Sequence, residues 1–567
     1  MNPFTTALIK APKRARFDFS HDNTLSVSLG EAVPSLSEFI VPGDEVSVSM
    51  EQIVRLAPMP VPTFVPLKVR HDFFFVPLRI LYGQDNMDNL FGNPQSGLER
   101  ACCSDLASFY SLFSAFNFGT ETESDVVYQM LSYASGYEMP LSSSLFDYLG
   151  YPVLTDRNGG LTGEQLFAIQ DGESYGIEAS FSSIDSTEES FIYESISNSP
   201  KINVEPLFCY HFIWRDWYRF TGIEGNDIIE PYLNNHCLAE FAGAEDASVD
   251  ETVNSVFSDN LITEDVGNQL TWGDLGKKFR VHFKKDMFTS ARYGTKPTVL
   301  IPTGASGTIP ALRQASAIQR FLDIISITGQ RYFDKVKGLF GVEPAGPKDD
   351  RVQFLGRYQS FVKVGEVLTT ATTAQAQTGD YAGRGILVDG RYIFKRRFTE
   401  HGWLMCITSV VPELSYSGLS RQLTDVSPLD SPIPSMAQVG DQTIFCREVN
   451  FDFAARYIHG TNYNANNNSF GDQFRYYAYK SHNNEVHGSF LMDTMRSWSP
   501  LQTMEAAGYK KNGGTNVIAY SKVRPEYWNY LFNDTDFEPI WGDRFFMNLN
   551  FGMSITRCLP KYINYHL

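Results

Sequence analysis

The stretch 544–556, RFFMNLNFGMSIT, settles the fold class. Phe545, Met547, Leu549, Phe551, Met553 and Ile555 take every second position, and the residues between them are mostly Asn, Gly, Ser and Thr. A period of two over that length is a strand with one buried face. Working outward, residues 45–55 (EVSVSMEQIVR) alternate in the same way, with Val46, Val48 and Met50 on one face and the turn Pro42-Gly43-Asp44 just before them. Residues 67–76 (LKVRHDFFFV) form a further strand closed by Pro77, and 403–411 (WLMCITSVV) is apolar enough to be buried on both faces. The chain is therefore mainly β.

Helical periodicity is rarer. Residues 309–327 place Leu312, Ala315, Ile318, Phe321, Leu322 and Ile325 on one stripe, between an N-cap at Thr308 and a stop at Gly329. Shorter helices are expected over 331–340, over 101–116 and, as an aromatic amphipathic segment, over 208–220. Residues 158–200 and 457–473 read as extended loops.

Composition narrows the function classes. The chain has 567 residues, 43% of them apolar and only 20% charged, enough to build a large core. No apolar run reaches the ~18 to 20 residues of a membrane span. The opening MNPFTTALIKAPKRARF lacks the apolar segment of a secretory signal, so neither membrane insertion nor export is expected. Seven scattered cysteines without a C-x-x-C pair fit a reducing compartment and neither a zinc ribbon nor a thiol redox site.

The net charge of -18 is unevenly spread. Residues 158–200 hold eight acids and 220–276 hold twelve, with no Lys or Arg in either, whereas the rest of the chain is nearly balanced. Both blocks read as surface insertions. The opposite sign sits at the start, where Lys10, Lys13, Arg14 and Arg16 make a basic arm (residues 1–22) suited to phosphate contacts that need charge but no fixed geometry. The remainder, 23–567, reads as one domain carrying the two insertions.

No nucleotide-binding, zinc-protease, serine-hydrolase or EF-hand motif is present, so no cofactor and no catalytic residue is assigned. His482 and His487 lack ligand spacing. The adjacent pairs Glu188-Glu189 and Asp349-Asp350 point apart and are poor candidates for glycoside hydrolysis. Aromatics, 14% of the chain, are core or subunit interface by default.

Several short motifs occur in a fixed order. They are Phe17-Asp18-Phe19-Ser20-His21-Asp22, Val41-Pro42-Gly43-Asp44, Val54-Arg55-Leu56-Ala57-Pro58-Met59 and Phe74-Phe75-Val76-Pro77-Leu78-Arg79. Downstream come Phe146-Asp147-Tyr148-Leu149-Gly150, Asp286-Met287-Phe288-Thr289-Ser290, Leu312-Arg313-Gln314-Ala315 and Phe398-Thr399-Glu400-His401-Gly402. Together they resemble the major capsid protein of the Microviridae, the small single-stranded DNA phages, in its gokushovirus branch. That resemblance implies an eight-stranded antiparallel viral jelly roll with long loop insertions and a few short helices. It also implies a non-enzymatic T=1 shell of about sixty copies built through pentamers around a circular ssDNA genome. The implied partners are scaffolding, DNA-binding and pilot proteins and a host-cell surface receptor. The implied location is the virion, after assembly in the bacterial cytoplasm. The family's long insertion before the L-R-Q-A helix is short here, and the acidic blocks are the candidates for surface decoration and host attachment. The rival classes are a β-rich carbohydrate-active enzyme and a receptor-binding spike; a spike usually carries repeats, and none are visible.

Overall fold

The structure is a computed structural model. It describes residues 14–82, 142–153, 199–218, 278–291, 351–368, 381–426, 431–437, 441–451, 469–499, 521–523, 528–532 and 543–559, and a few isolated positions between them. The helices expected over 309–327 and 331–340, both acidic blocks except for Ser199 and Pro200, and the pairs Glu188-Glu189 and Asp349-Asp350 lie outside the described residues.

Ten strands build two packed sheets. They are β1 (Ala15–Asp18), β2 (His21–Val27), β3 (Val33–Ile40), β4 (Glu45–Leu56), β5 (Leu67–Pro77), β6 (Gln353–Phe361), β7 (Lys363–Leu368), β8 (Tyr381–Arg397), β9 (Gly402–Pro412) and β10 (Phe545–Arg557). The larger sheet runs β1-β10-β4-β8-β7, with β2 also on β10; the smaller runs β6-β5-β9-β3. All pairings are antiparallel. Without the additions β1 and β7, this leaves four strands in each sheet in the orders 2-10-4-8 and 3-9-5-6, which is the jelly-roll arrangement.

The alternation read from the sequence is realised. The six odd-numbered apolar residues of β10, from Phe545 to Ile555, are all buried, as are Val46, Val48 and Met50 of β4. Strand β9 is buried along nearly its whole length on both faces. Aromatic rings join the sheets: Phe73 lies 5.9 Å from Phe394, and Phe75 lies 4.5 Å from Phe398.

Three of the recurring motifs meet at one corner. Gly43 takes φ 92° at the turn into β4, its N–H donates to the carbonyl of Phe398, and the N–H of Phe398 donates to the carbonyl of Asp44. The N–H of Leu78 donates to the carbonyl of His401, and Arg79 pairs with Glu400 at 3.1 Å. Gly402 is required by close approach, because a Cβ there would stand 2.4 Å from the Val76 carbonyl oxygen.

The expected helix over 208–220 is present as α3 (Glu205–Ile213), after the short helices α1 (Leu78–Tyr82) and α2 (Leu145–Leu149). It is not amphipathic: all nine residues are buried. It continues as a wider π-helical segment, Trp214–Tyr218, that lies over the outer face of the smaller sheet. There Trp217 and Tyr218 pack on Phe74, and the Tyr218 hydroxyl donates to Asp72 Oδ2. The helix expected over 101–116 is overturned at its start, since Cys102–Cys103 pairs as a strand with Ile202–Asn203. The loop expected over 457–473 ends in the strand Ser469–Phe474, which pairs with Asp441–Phe445. In both places a short segment is made a strand by its pairing partner, which local pattern does not reveal. Cys209, Cys406 and Cys558 are free thiols.

One polar chain crosses the apolar core. His71 Nε2 on β5 lies 2.8 Å from Gln52 Oε1 on β4, and its Nδ1 lies 2.9 Å from the Thr408 hydroxyl on β9, with Tyr358 stacked on the ring. Burial pushes this imidazole down to about 3. The unfolded chain takes up the proton near pH 6.5, and the folded chain does not. Stability is therefore full above pH 6.5 and falls as pH drops towards 3, by about 1.4 kcal/mol per pH unit for this one group. In denaturant unfolding from pH 7.5 to 4, His71→Gln is expected to be less stable at pH 7 but to lose that part of the acid slope; an unchanged slope would refute the assignment.

Candidate nucleic-acid interface

The two sheets differ in what covers them. The smaller has α3 and the π-helical segment on its outer face, whereas the larger presents exposed residues along β4, β8 and β10. The strand β8, YAGRGILVDGRYIFKRR, supplies much of that face. Up to Val388 its outward positions are Arg384, Ile386 and Val388, with Gly385 and Leu387 inward. A bulge between Tyr392 and Phe394 then shifts the parity. Beyond it Phe394 is buried against the core, while Lys395 and Arg397 point outward.

That shift completes a row of charge across the sheet. Arg16 on β1 stands opposite Thr556 on β10, Thr556 opposite Glu45 on β4, and Glu45 opposite Arg397 on β8. Beside this row the Arg16 guanidinium donates to the Ser554 hydroxyl at 3.0 Å, and Lys395 Nζ lies 2.6 Å from Glu45 Oε1. The hydrogen bond from Lys395, with its charge and those of Arg14 and Arg397, holds the Glu45 carboxyl below the usual carboxylate range. The end of the sheet thus gathers Arg14, Lys395 and Arg397 around the Glu45 carboxylate, with Arg16 beside Asp18. Tyr392, 56% exposed, stands one strand-pair further along, opposite Ser49.

Of the four basic residues singled out from the sequence, Arg14 and Arg16 come together here, and Lys10 and Lys13 lie outside the described residues. The segment 15–22 is held in the sheet by β1 and the start of β2, so the boundary placed after residue 22 falls inside β2. Lys395 and Arg397 were missed, although the run Lys395-Arg396-Arg397 was visible. Arg396 goes elsewhere, donating to Gln353 Oε1 at 2.7 Å. His482 and His487 both lie near Glu485, at 3.8 and 3.2 Å, and no group of three metal-ligating side chains occurs among the described residues.

Exposed guanidinium and ammonium groups on a sheet face contact phosphates without reading bases, and an exposed tyrosine offers a ring for an unpaired base to stack on. Eight strands in this order, in two facing antiparallel sheets, define a jelly-roll protein. The chain belongs to a phage capsid family: the family model described as "Capsid protein (F protein)" matches residues 7–101 and 239–507. It is similar to capsid protein VP1 of Chlamydia phage 1, 23% identical over 557 residues that cover 88% of each chain. It is also similar to capsid protein VP1 of Bdellovibrio phage phiMH2K, 21% identical over 518 residues that cover 84% of this chain and 82% of the relative. Capsid protein VP1 of Spiroplasma virus 4 matches over a shorter stretch, 26% identical over 152 residues that cover 26% of this chain and 27% of the relative. The Microviridae resemblance read from the motifs is thereby shown. The first acidic block, 158–200, falls between the two parts matched by the family model.

Replacing Arg16, Lys395 and Arg397 together by Ser is expected to lower the slope of log affinity against log salt for an oligothymidylate by about 2, at roughly 0.7 per lost phosphate contact on a single strand. Fold stability should change by no more than about 0.5 kcal/mol per exposed site. Fluorescence anisotropy across a salt series measures the first, and denaturant unfolding the second.

Proposed function

We propose that this chain is the major capsid protein of a small phage. It assembles through pentamers into a T=1 icosahedral shell of about sixty copies around a circular ssDNA genome, closed by symmetry. The observation that carries the reading is the contrast between the sheets: one is partly covered by α3 and the π-helical segment, and the other offers a strip of basic side chains running from Arg16 to Arg397. On this reading the strip and the basic arm with Lys10, Lys13 and Arg14 face the genome. The chain works by assembly, not catalysis. Scaffolding, DNA-binding and pilot proteins act with it during assembly in the bacterial cytoplasm, and the particle meets a host-cell surface receptor. Among the described residues no helix is long and apolar enough to cross a membrane.

The acidic blocks, outside the described residues, are the parts we assign to host attachment. Their charge segregation and polar composition suit an exposed surface.

Sedimentation velocity of the chain, alone and with scaffolding protein from the same genome, should show pentamers and then shells; a strict monomer under both conditions would refute the reading. In particles, replacing Lys10, Lys13, Arg14 and Arg16 by Ser should lower the amount of nuclease-protected DNA without abolishing shells. Deleting 235–265 should reduce adsorption to host cells more than it reduces particle yield.

A further inference from the structure

The two sheets part at one side of the sandwich, where β2 and β3 belong to different sheets. There α2 and Asp543 close the gap around a cavity of ≈ 670 Å³. Three carboxylates stand in its wall, from Glu38, Asp147 and Asp543. Asp543 is 1% exposed. Its Oδ2 accepts hydrogen bonds from the Ser26 and Ser143 hydroxyls, each at 2.5 Å, and its Oδ1 has no partner. Ser143 sits at φ 62°, a left-handed conformation that a serine adopts at a cost, and its N–H donates to Asp147 Oδ2 at 2.9 Å. One strained residue therefore fixes two of the three acids. Glu38 is paired through its backbone with Leu404, but its carboxylate makes no hydrogen bond among the described residues, and the buried Ser37 hydroxyl has no partner either.

The nearby cations are already committed. Lys278 pairs with Glu31 at 2.6 Å and Arg557 with Asp44 at 2.8 Å, which leaves His21 as the one basic side chain in the cavity wall. Burial pushes the Glu38 and Asp147 carboxyls up, against opposing pulls from His21 and Arg557 on the first and from the Ser143 N–H and Lys278 on the second. The acids do not converge as metal ligands do: no such group of three occurs among the described residues. Charge spread along a cavity that also has apolar wall at Leu25 and Leu36 fits a ligand with several separated positive charges on a methylene chain.

We propose that this cavity binds a linear aliphatic polyamine, with one ammonium at Asp543 and Asp147 and another at Glu38. The site lies apart from the cationic strip and does not depend on the shell reading. Isothermal titration of the DNA-free chain with spermidine should show saturable binding at one site per chain. Affinity should fall at least tenfold in Asp543→Asn and in Glu38→Gln. The second variant alters a partly exposed side chain without hydrogen-bond partners, so it remains informative if the first fails to fold. Butane-1,4-diol, which keeps the chain length of a diamine but not its charge, should not bind. Absence of spermidine binding, equal binding by Glu38→Gln, or displacement by equimolar magnesium would each overturn the proposal.

Discussion

Everything in this molecule depends on β10 being gripped from both sides by strands from the other end of the sequence. β1 and β2 lie along one edge of it and β4 along the other, and Ser49 reaches Gly552 across about 500 residues of intervening chain. Closing a loop of that length costs on the order of 5 kcal/mol. Six buried apolar side chains on β10, at about 2 kcal/mol each, exceed that cost. The long excursions between strands are therefore affordable, because loop entropy grows only slowly with length. Insertions can enlarge without loosening the sandwich.

The sheets were legible in the sequence wherever one face is buried. Alternation in β4 and β10 and the continuous apolar run of β9 needed no tertiary information. The motif order carried the rest of the topology, and the structure gives part of the reason: residues around Gly43, Val76–Arg79 and Phe398–Gly402 interlock at one corner, where a side chain at position 402 would collide with backbone. Short elements without a periodic pattern of their own were not legible. Cys102–Cys103 has no strand pattern of its own, and α3 lost its expected polar face because the molecule buries it on every side.

The candidate interface was half visible. A basic arm at the start of the chain could be read directly, and its described end does lie on a cationic surface. The rest depends on a single bulge at Tyr392–Phe394. Continued alternation from Arg384, Ile386 and Val388 would have sent Arg396 outward and turned Lys395 and Arg397 in. The acidic cavity was invisible for a different reason: its three carboxylates come from three distant segments, and an unpartnered oxygen exists only once the fold has removed it from water.

The uncovered face of the larger sheet separates two kinds of variation. Residues pointing inward from β4, β8 and β10 are tied to one another through the core, so a change at one is felt by its neighbours and by the fold. Residues pointing outward from the same strands, such as Ile53 and Val388, are largely exposed. Alternate codons of a single strand thus answer to different masters, one to the sandwich and the next to whatever lies against it. A lineage could retune that outer surface by single substitutions while the neighbouring codon stays fixed.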